Sequence, residues 1–278
     1  MASFAERMGH RATRSVVQSE SLDDETRVAL WNVFSVINET LDTDFESSFL
    51  TAVWMWEFHN THDKRPSTDH AVWMEVKFFI LRREWWEVLD LIEAIVRHMA
   101  RHADSYSKDV PNKVAEAFNL IFERFLVGYR FVGHEITPID STAEANAVVG
   151  AQEDATPIAG ARHALDRAVE LLADRQKPDY PNSIKESISA VEAVVKKVTG
   201  ASDLGTGLKR LEEAGLTIHP ALKSAWLKMY GWTSDDDGIR HGGIEAADAD
   251  QALAKYMLVT CSGFVSYLIE EGRKNGLI

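Results

Sequence analysis

One short stretch near the end of the chain combines residue types that could bind a phosphate and move a proton. Residues 232–243 contain three successive acids, a glycine, the pair Arg240 and His241, and two further glycines. The Arg240 guanidinium can hold a phosphate through paired N–H donors, and the imidazole of His241 titrates near neutral pH. Glycines on both sides allow sharp turns and close backbone approach. The alternative interpretation is a solvated loop whose charges have no chemical role.

Two carboxylates and a second imidazole are candidates to assist this pair. Asp237 could orient one of the two side chains, although an Asp at this point also caps a turn or a helix. Glu192 lies at the edge of the apolar stripe of an upstream helix, where it could face the site or form an ion pair with Arg240 that fixes the loop. His219 is typical of a capping residue at a helix start. The candidate catalytic residues are therefore Arg240, His241, Glu192 and Asp237.

Apolar residues at helical spacing predict the elements that position this loop. The sequence Ser183-Ile-Lys-Glu186 matches a capping box and predicts a helix start at Ser183. The last predicted helix is long and apolar enough to be the spine of a bundle. The predicted helices span 158–176, 183–198, 207–213, 221–230 and 247–274. Residues 156–278 are therefore expected to form a helical bundle.

The first half of the chain carries aromatic residues at helical spacing, and these are expected to form a core. The predicted helices begin near 24, 45, 71 and 113, with one long helix over 71–103. Residues 128–139 predict a β-hairpin with its turn at Gly133. We therefore predict an all-α protein with an N-terminal helical domain over 1–140 that includes this hairpin. A connecting helix over 141–155 leads to the bundle.

Composition narrows the class of protein further. The chain has 278 residues, of which 45% are hydrophobic and 26% charged, as in soluble globular proteins. No apolar run is expected to be long enough to cross a membrane, and the N-terminus lacks the apolar core of a signal peptide, so we expect a cytoplasmic protein. The single cysteine, Cys261, excludes an intrachain disulfide and is expected to be a buried, inert thiol. No cofactor or metal motif is present in the sequence.

The formal net charge is −13, and both halves of the chain are acidic. General nucleic-acid binders carry a basic balance, so this charge argues against tight, non-specific binding of RNA or DNA. A small local site that holds one or two phosphates remains compatible with it.

Several stretches resemble bacterial abortive-infection proteins. Residues 4–7 and 129–139, which include Tyr-Arg-Phe-Val and Ile-Thr-Pro-Ile, resemble the AbiJ N-terminal domain family. Residues 180–192, 219–222 and 237–242 resemble the HEPN-type helical domain that often follows it. The resemblance covers nearly the whole chain.

The resemblance implies an all-α protein whose HEPN half forms a homodimer. Many members of that superfamily are metal-independent ribonucleases, and many are toxins or effectors in anti-phage defence. Their usual motif is an Arg, four to six residues and a His, contributed by two protomers that face each other across the dimer axis. Arg240 and His241 are adjacent, so this sequence departs from that motif.

The motif's literal spacing occurs elsewhere, at Arg65 with His70 and at Arg97 with His102. Chance alone should give about two such matches in a chain of this composition. The second pair is better explained as the solvated face of a helix, and the first belongs to a polar loop.

Two functions of different classes follow. In the first, the protein is an anti-phage effector, and the HEPN half cuts RNA with His241 as acid or base and Arg240 on the phosphate. In the second, the bundle is a non-catalytic binding or assembly module, and the N-terminal domain senses a protein or nucleotide regulator. The acidic charge and the adjacent Arg and His favour the second function, whereas the habits of the resembled family favour the first.

Overall fold

The computed structural model describes Phe4, Met8, His10 and residues 17–40, 43–102, 109–174, 178–234 and 249–278. Within this part of the chain the secondary structure is eleven α-helices with one two-stranded sheet, which confirms the predicted all-α class with a short hairpin. The chain divides into two compact units. The first comprises Met1–Ile136 and Asp140–Thr142, and the second comprises Thr137–Ile139 and Ala143–Ile278.

The described residues of the first unit form five long α-helices. They are α1 (Asp24–Thr40), α2 (Thr43–Ala52), α3 (Asp69–Arg82), α4 (Trp85–His102) and α5 (Val110–Arg124). A π-helical turn, Val53–Glu57, continues α2, and a 3₁₀ turn, His62–Lys64, follows it. The strands β1 (Arg130–Val132) and β2 (Glu135–Thr137) form the predicted hairpin, whose turn begins at Gly133 with φ +60°. Only glycine adopts that φ without steric cost.

The single long helix predicted over 71–103 is wrong, because the chain breaks between α3 and α4. Arg83 has an extended ψ of 169° and ends α3. The backbone N–H of Glu84 donates to Oε2 of Glu87 at 3.0 Å, so a side chain satisfies an amide that the new helix leaves free. Helical periodicity continues through this break, which is why the sequence pattern alone did not reveal it.

Aromatic side chains form the centre of the first unit. Phe118 is fully buried, and its ring centroid lies 5.1 Å from that of Phe34 and 6.2 Å from that of Phe131. Phe122 stacks on Phe131 at 6.3 Å, and Trp73 contacts the same cluster through Phe34 at 6.4 Å. The prediction that these aromatics are core residues is confirmed. Their rings link α1, α3, α5 and β1 into one core.

Buried polar groups fix the irregular backbone around this core. Arg130 is only 2% exposed, and its guanidinium donates to the carbonyl oxygens of Val127, Tyr129 and Asp140 at 2.8, 2.6 and 2.9 Å. Its Nε also donates to Oγ1 of Thr142 at 3.0 Å. Burial lowers the pKa of Arg130. One charged side chain therefore satisfies three carbonyl groups that no helix or strand pairs.

The N-terminal segment is anchored to the chain between α5 and β1. Gln18 forms a parallel β-bridge with Val127, and its side-chain Nε2 donates to the carbonyl oxygen of Phe125 at 2.7 Å. The hydroxyl of Tyr129 donates to the carbonyl oxygen of Ser19 at 2.6 Å. Residues 17–19 are therefore an ordered part of the first unit.

The second unit contains six α-helices within the described residues. They are α6 (Thr142–Asp154), α7 (Ala159–Ala173), α8 (Tyr180–Thr199), α9 (Leu204–Arg210), α10 (Pro220–Ser234) and α11 (Gln251–Lys274). The helix α8 lies at the centre and packs most extensively on α7 and α11. Small residues allow close approach: a Cβ on Gly207 of α9 would lie 2.3 Å from Cγ1 of Val195 on α8.

The predicted start of α8 at Ser183 is wrong by one turn. Asp179 is the N-cap, and its Oδ1 accepts from the backbone N–H of Asn182 at 3.2 Å. Pro181 occupies the first turn, where its missing N–H costs nothing. Ser183 lies inside the helix, fully buried, and its hydroxyl donates to the carbonyl oxygen of Ala168 on α7 at 2.8 Å. The apparent capping serine therefore joins two helices.

The helix α11 has a length and composition that would suit a membrane span, with a mean hydropathy of 1.4 over an 18-residue window. The expectation that no apolar run reaches that length is therefore wrong. Half of this window is buried within the protein, as in the core helix of a bundle. Cys261 on α11 is completely buried, and burial raises the pKa of its thiol, as expected for an inert cysteine.

Candidate functional site

The helix that leads into the candidate loop is firmly packed. Trp226 of α10 stacks on Phe264 of α11, with ring centroids 3.9 Å apart and an interplanar angle of 12°. Tyr230 lies against the start of α9, where a Cβ on Gly205 would approach its ring to 3.4 Å. These contacts fix the direction of α10 relative to α9 and α11.

The described residues on either side of the candidate site are held by hydrogen bonds. Thr233 is fully buried, and its Oγ1 donates to the carbonyl oxygen of Tyr230 at 2.9 Å. Asp250 is the N-cap of α11, where its Oδ1 accepts from the backbone N–H of Leu253 at 2.8 Å. One turn later, Nζ of Lys255 lies 3.7 Å from Oε2 of Glu144 on α6. The residues on either side of the candidate site therefore have defined positions.

Three of the four predicted catalytic residues, Asp237, Arg240 and His241, lie outside the described residues. Their predicted roles stay predictions.

Glu192 is the one predicted catalytic residue that the structure describes. It lies on α8, its side chain is 14% exposed, and its Oε1 is 2.9 Å from Nζ of Lys196 one turn further along the helix. An acid four residues before a base is the favourable orientation for a helical ion pair. Glu192 therefore has a local cationic partner, and its carboxylate is neither on the open surface nor fully enclosed.

A second acid on the same helix also lies near a cation. The pKa of Arg167 on α7 is raised, first by its hydrogen bond to Glu170 at 2.7 Å and further by the nearby charges of Glu186 and Asp179. The charge of Glu186 on α8 is therefore close enough to Arg167 to stabilise its protonated form.

His219 has the structural role that its position before Pro220 predicts. Its Nδ1 accepts from the backbone N–H of Ala221 at 3.2 Å, at the start of α10. Because this hydrogen bond uses the lone pair of Nδ1, the neutral ring carries its proton on Nε2. His219 caps α10, and the capping interpretation is confirmed.

The arginines of the two motif-like pairs in the first unit form ion pairs with nearby carboxylates. Arg65 forms an ion pair with Asp69 one turn later. Arg97 pairs with Glu93 at 3.4 Å and with Glu135 at 2.9 Å. Each guanidinium is therefore neutralised by carboxylates of its own unit, as expected for chance matches to the spacing.

Within the described part of the chain, no group of three or more His, Cys, Asp or Glu side chains is arranged to hold a metal ion.

Sequence reasoning missed a surface on the first unit. The outer side of α3 carries exposed Met74 and Phe78, which are 46% and 62% exposed. The sequence contained a signal for this surface. Residues 74, 78 and 81 form a second apolar stripe at helical spacing, on the side of α3 opposite to the stripe that packs into the core.

The fold alone places this chain among α-helical proteins with two units. The first unit has an aromatic core, and the second is a helical bundle. The family model of the AbiJ N-terminal domain 4 matches residues 2–154. This chain belongs to that family, whose name refers to abortive infection, an anti-phage response of bacteria. No curated protein and no solved structure shows significant similarity to the chain.

Proposed function

We propose that this protein is a bacterial abortive-infection effector that acts in the cytoplasm by cutting RNA. In this proposal the C-terminal bundle is a HEPN-like, metal-independent ribonuclease that works as a homodimer, and the AbiJ-type first unit responds to a protein or nucleotide regulator. Membership of the AbiJ N-terminal domain 4 family carries the proposal of a defence role. The ribonuclease activity is supported by the residue types of Arg240 and His241, which lie in the sequence between the packed helices α10 and α11.

The proposed reaction needs only groups that this chain supplies. The imidazole of His241 from one protomer removes the proton of a ribose 2′-hydroxyl, whose oxygen then attacks the adjacent phosphorus. The phosphorus–O5′ bond breaks, and the protonated imidazole of the second protomer donates its proton to the leaving O5′. Arg240 stabilises the charge of the phosphorane, and Asp237 orients the imidazole. The products are a 2′,3′-cyclic phosphate and a 5′-hydroxyl.

Glu192 has two alternative roles within this proposal. It either orients Arg240 in the active loop or serves only as the partner of Lys196 on α8. The substitution Lys196→Gln removes that ion pair but keeps the carboxylate, whereas Glu192→Gln removes both. A role in the reaction predicts that Glu192→Gln lowers RNA cleavage while Lys196→Gln leaves it unchanged.

A test of the proposal compares wild type with Arg240→Ala/His241→Ala, each expressed in bacteria before and during phage infection. The wild type should arrest growth and generate RNA fragments with 5′-hydroxyl ends. The double variant should lower the rate of fragment formation by about 100-fold or more, since a general acid–base catalyst contributes at least that much. If neither protein cuts RNA under phage challenge, the ribonuclease proposal is wrong.

A second candidate is a non-catalytic binding or assembly module. The net charge of −13 and the adjacency of Arg240 and His241 favour it, because a general nucleic-acid binder carries a basic balance and the usual HEPN motif separates the two residues. In that case phage protection would persist in Arg240→Ala/His241→Ala, and the RNA would stay intact.

A further inference from the structure

The helix α3 is apolar on two opposite sides. One side packs into the core of the first unit through four buried residues, which are Val72, Trp73, Val76 and Ile80. The other side carries Met74, Phe78 and Leu81, which line an open groove of about 580 Å³. At ~100° per residue, Val76 and Phe78 lie about 160° apart around the helix axis. A helix that is apolar all round is normally buried on both sides.

The outer stripe has the spacing of a helix–helix interface. Met74, Phe78 and Leu81 are separated by four and then three residues, as core positions are in paired helices. Phe78 is 62% exposed and lies at the centre of the stripe. A large aromatic side chain at the centre of an exposed apolar stripe is typical of a residue that dominates an interface.

Two charged residues border this stripe. Glu75 and Arg82 also line the groove and are exposed, and neither has an ion-pair or hydrogen-bond partner among the residues that the structure describes. They are seven residues apart, about 10 Å along the axis, so they cannot pair with each other within one helix. A third charge, Lys77, also lines the groove, at the border of the stripe opposite to Glu75 and Arg82, and its Nζ lies over the ring of Trp31 at 5.4 Å.

We propose that the outer face of α3 binds the same face of a second copy of this chain, with the two helices antiparallel. When Phe78 of one helix packs beside Leu81 of the other, Glu75 of each copy comes next to Arg82 of the other. A two-fold axis therefore generates two complementary ion pairs around one apolar centre. The border formed by Glu75 and Arg82 therefore matches the same border of a second copy, while Lys77 lies at the opposite border. A polyanion such as RNA would instead be matched by cations alone.

The size of the surface sets the expected strength of association. One pair of helices of this length buries less than the ~1,600 Å² of a typical stable complex. We therefore expect concentration-dependent association that adds to any contact made by the second unit. This proposal does not depend on the ribonuclease activity.

The test is sedimentation of the full-length protein over a range of concentrations, with charge-reversed variants. Glu75→Arg and Arg82→Glu should each weaken self-association by about tenfold, since attraction becomes repulsion at two border pairs in each dimer. A 1:1 mixture of the two single variants should restore association, because each Arg would then face a Glu. The double variant Glu75→Arg/Arg82→Glu should associate as the wild type does.

Two further variants complete the experiment. Phe78→Asp should remove the association made through α3, leaving only that made by the second unit, while the circular dichroism of the protein is retained, because Phe78 does not belong to the core. Glu116→Arg, an exposed residue on α5, is the matched control and should leave association unchanged. The proposal is overturned if the wild type and all variants have the same mass at every concentration. It is equally overturned if mixing Glu75→Arg with Arg82→Glu restores nothing.

Discussion

The two units reach a packed core by different means. The first unit buries large aromatic rings, such as Phe34, Phe118 and Phe131, around a backbone with a π-helical turn, a hairpin and a bridged N-terminal segment. The second unit buries mainly Ala, Val, Leu and Ile on regular helices, with Trp226 on Phe264 as its stacked pair across helices. Large rings tolerate an irregular backbone, whereas small residues allow regular helices to approach closely.

The difference extends to polar groups. The first unit satisfies its irregular backbone with buried side chains, of which Arg130 and Asn119 are the main examples. Asn119 accepts from the N–H of Phe131 at 2.7 Å and donates to its carbonyl oxygen at 3.0 Å, as a neighbouring strand would. The second unit instead satisfies helix ends with capping residues such as Asp179 and Asp203. The substitutions that destabilise the first unit should therefore be of a different kind from those that destabilise the second.

The largest predicted loss of stability is at the aromatic core. Phe118→Ala should lower the free energy of unfolding of the first unit by about 4 kcal/mol, because several rings lose contacts and a large cavity remains. The equivalent aliphatic change in the second unit, Ile188→Ala, should cost about 3 kcal/mol. Urea denaturation followed by tryptophan fluorescence and by circular dichroism measures both. If each variant lowered the free energy of unfolding of both units by the same amount, the two units would not have separate cores.

The next effect concerns the buried guanidinium. Arg130→Met should destabilise the first unit by about 3 kcal/mol, because the carbonyl groups that Arg130 satisfies would be left buried without donors. The control, Arg124→Met, removes an exposed guanidinium at the end of α5 and should change stability by less than about 0.5 kcal/mol. Similar urea midpoints for the two variants would show that Arg130 does not hold the backbone.

Two glycines test the close packing of the second unit. Gly207→Ala should cost about 2 kcal/mol, since the new Cβ would collide with Val195 on α8. Gly263→Ala on the exposed side of α11 meets no atom within 4 Å and should stabilise the protein by about 0.7 kcal/mol. Thermal unfolding of both variants checks the pair. A neutral result at Gly207 would mean that α9 can move away from α8.

The smallest effect is a pH dependence of the first unit. Burial lowers the pKa of His98 from 6.5, and the neighbouring charges of His102 and Arg101 lower it further. The unfolded chain therefore binds a proton that the folded chain resists, so stability should be full above about pH 7.5 and should fall as the pH decreases through 6.5 toward the lower pKa of folded His98. His98→Gln should make this decrease smaller, as measured by urea midpoints at several pH values. An unchanged slope would exclude His98 as its cause.

Sequence periodicity predicted much of the fold but not its irregular points. The hairpin was predictable because Gly133 separates two β-rich runs, and α7 and α11 were predictable from their apolar stripes. The break at Arg83 and the start of α8 at Asp179 were not, because both depend on which side chain reaches a free amide. The hydrogen bonds from Arg130 to backbone carbonyl oxygens were not predictable either, because periodicity does not show which carbonyl groups a buried guanidinium reaches.

The candidate site was predictable only as a set of residue types. Glu192 was expected to face the site or to pair with Arg240, and one partner among the described residues is Lys196 on its own helix. The capping role of His219 was predictable because it precedes Pro220 at a helix start. Periodicity could have revealed the outer face of α3, but an apolar residue in a helix is ordinarily assigned to the core.

The most direct test of the proposed function is plaque formation on bacteria that express this protein. Wild type should reduce the number of plaques strongly. Arg240→Ala/His241→Ala should give no protection at equal protein abundance, because it keeps both folded units but lacks the proposed acid–base group and phosphate ligand. Equal protection by wild type and this double variant would contradict an effector that acts through Arg240 and His241.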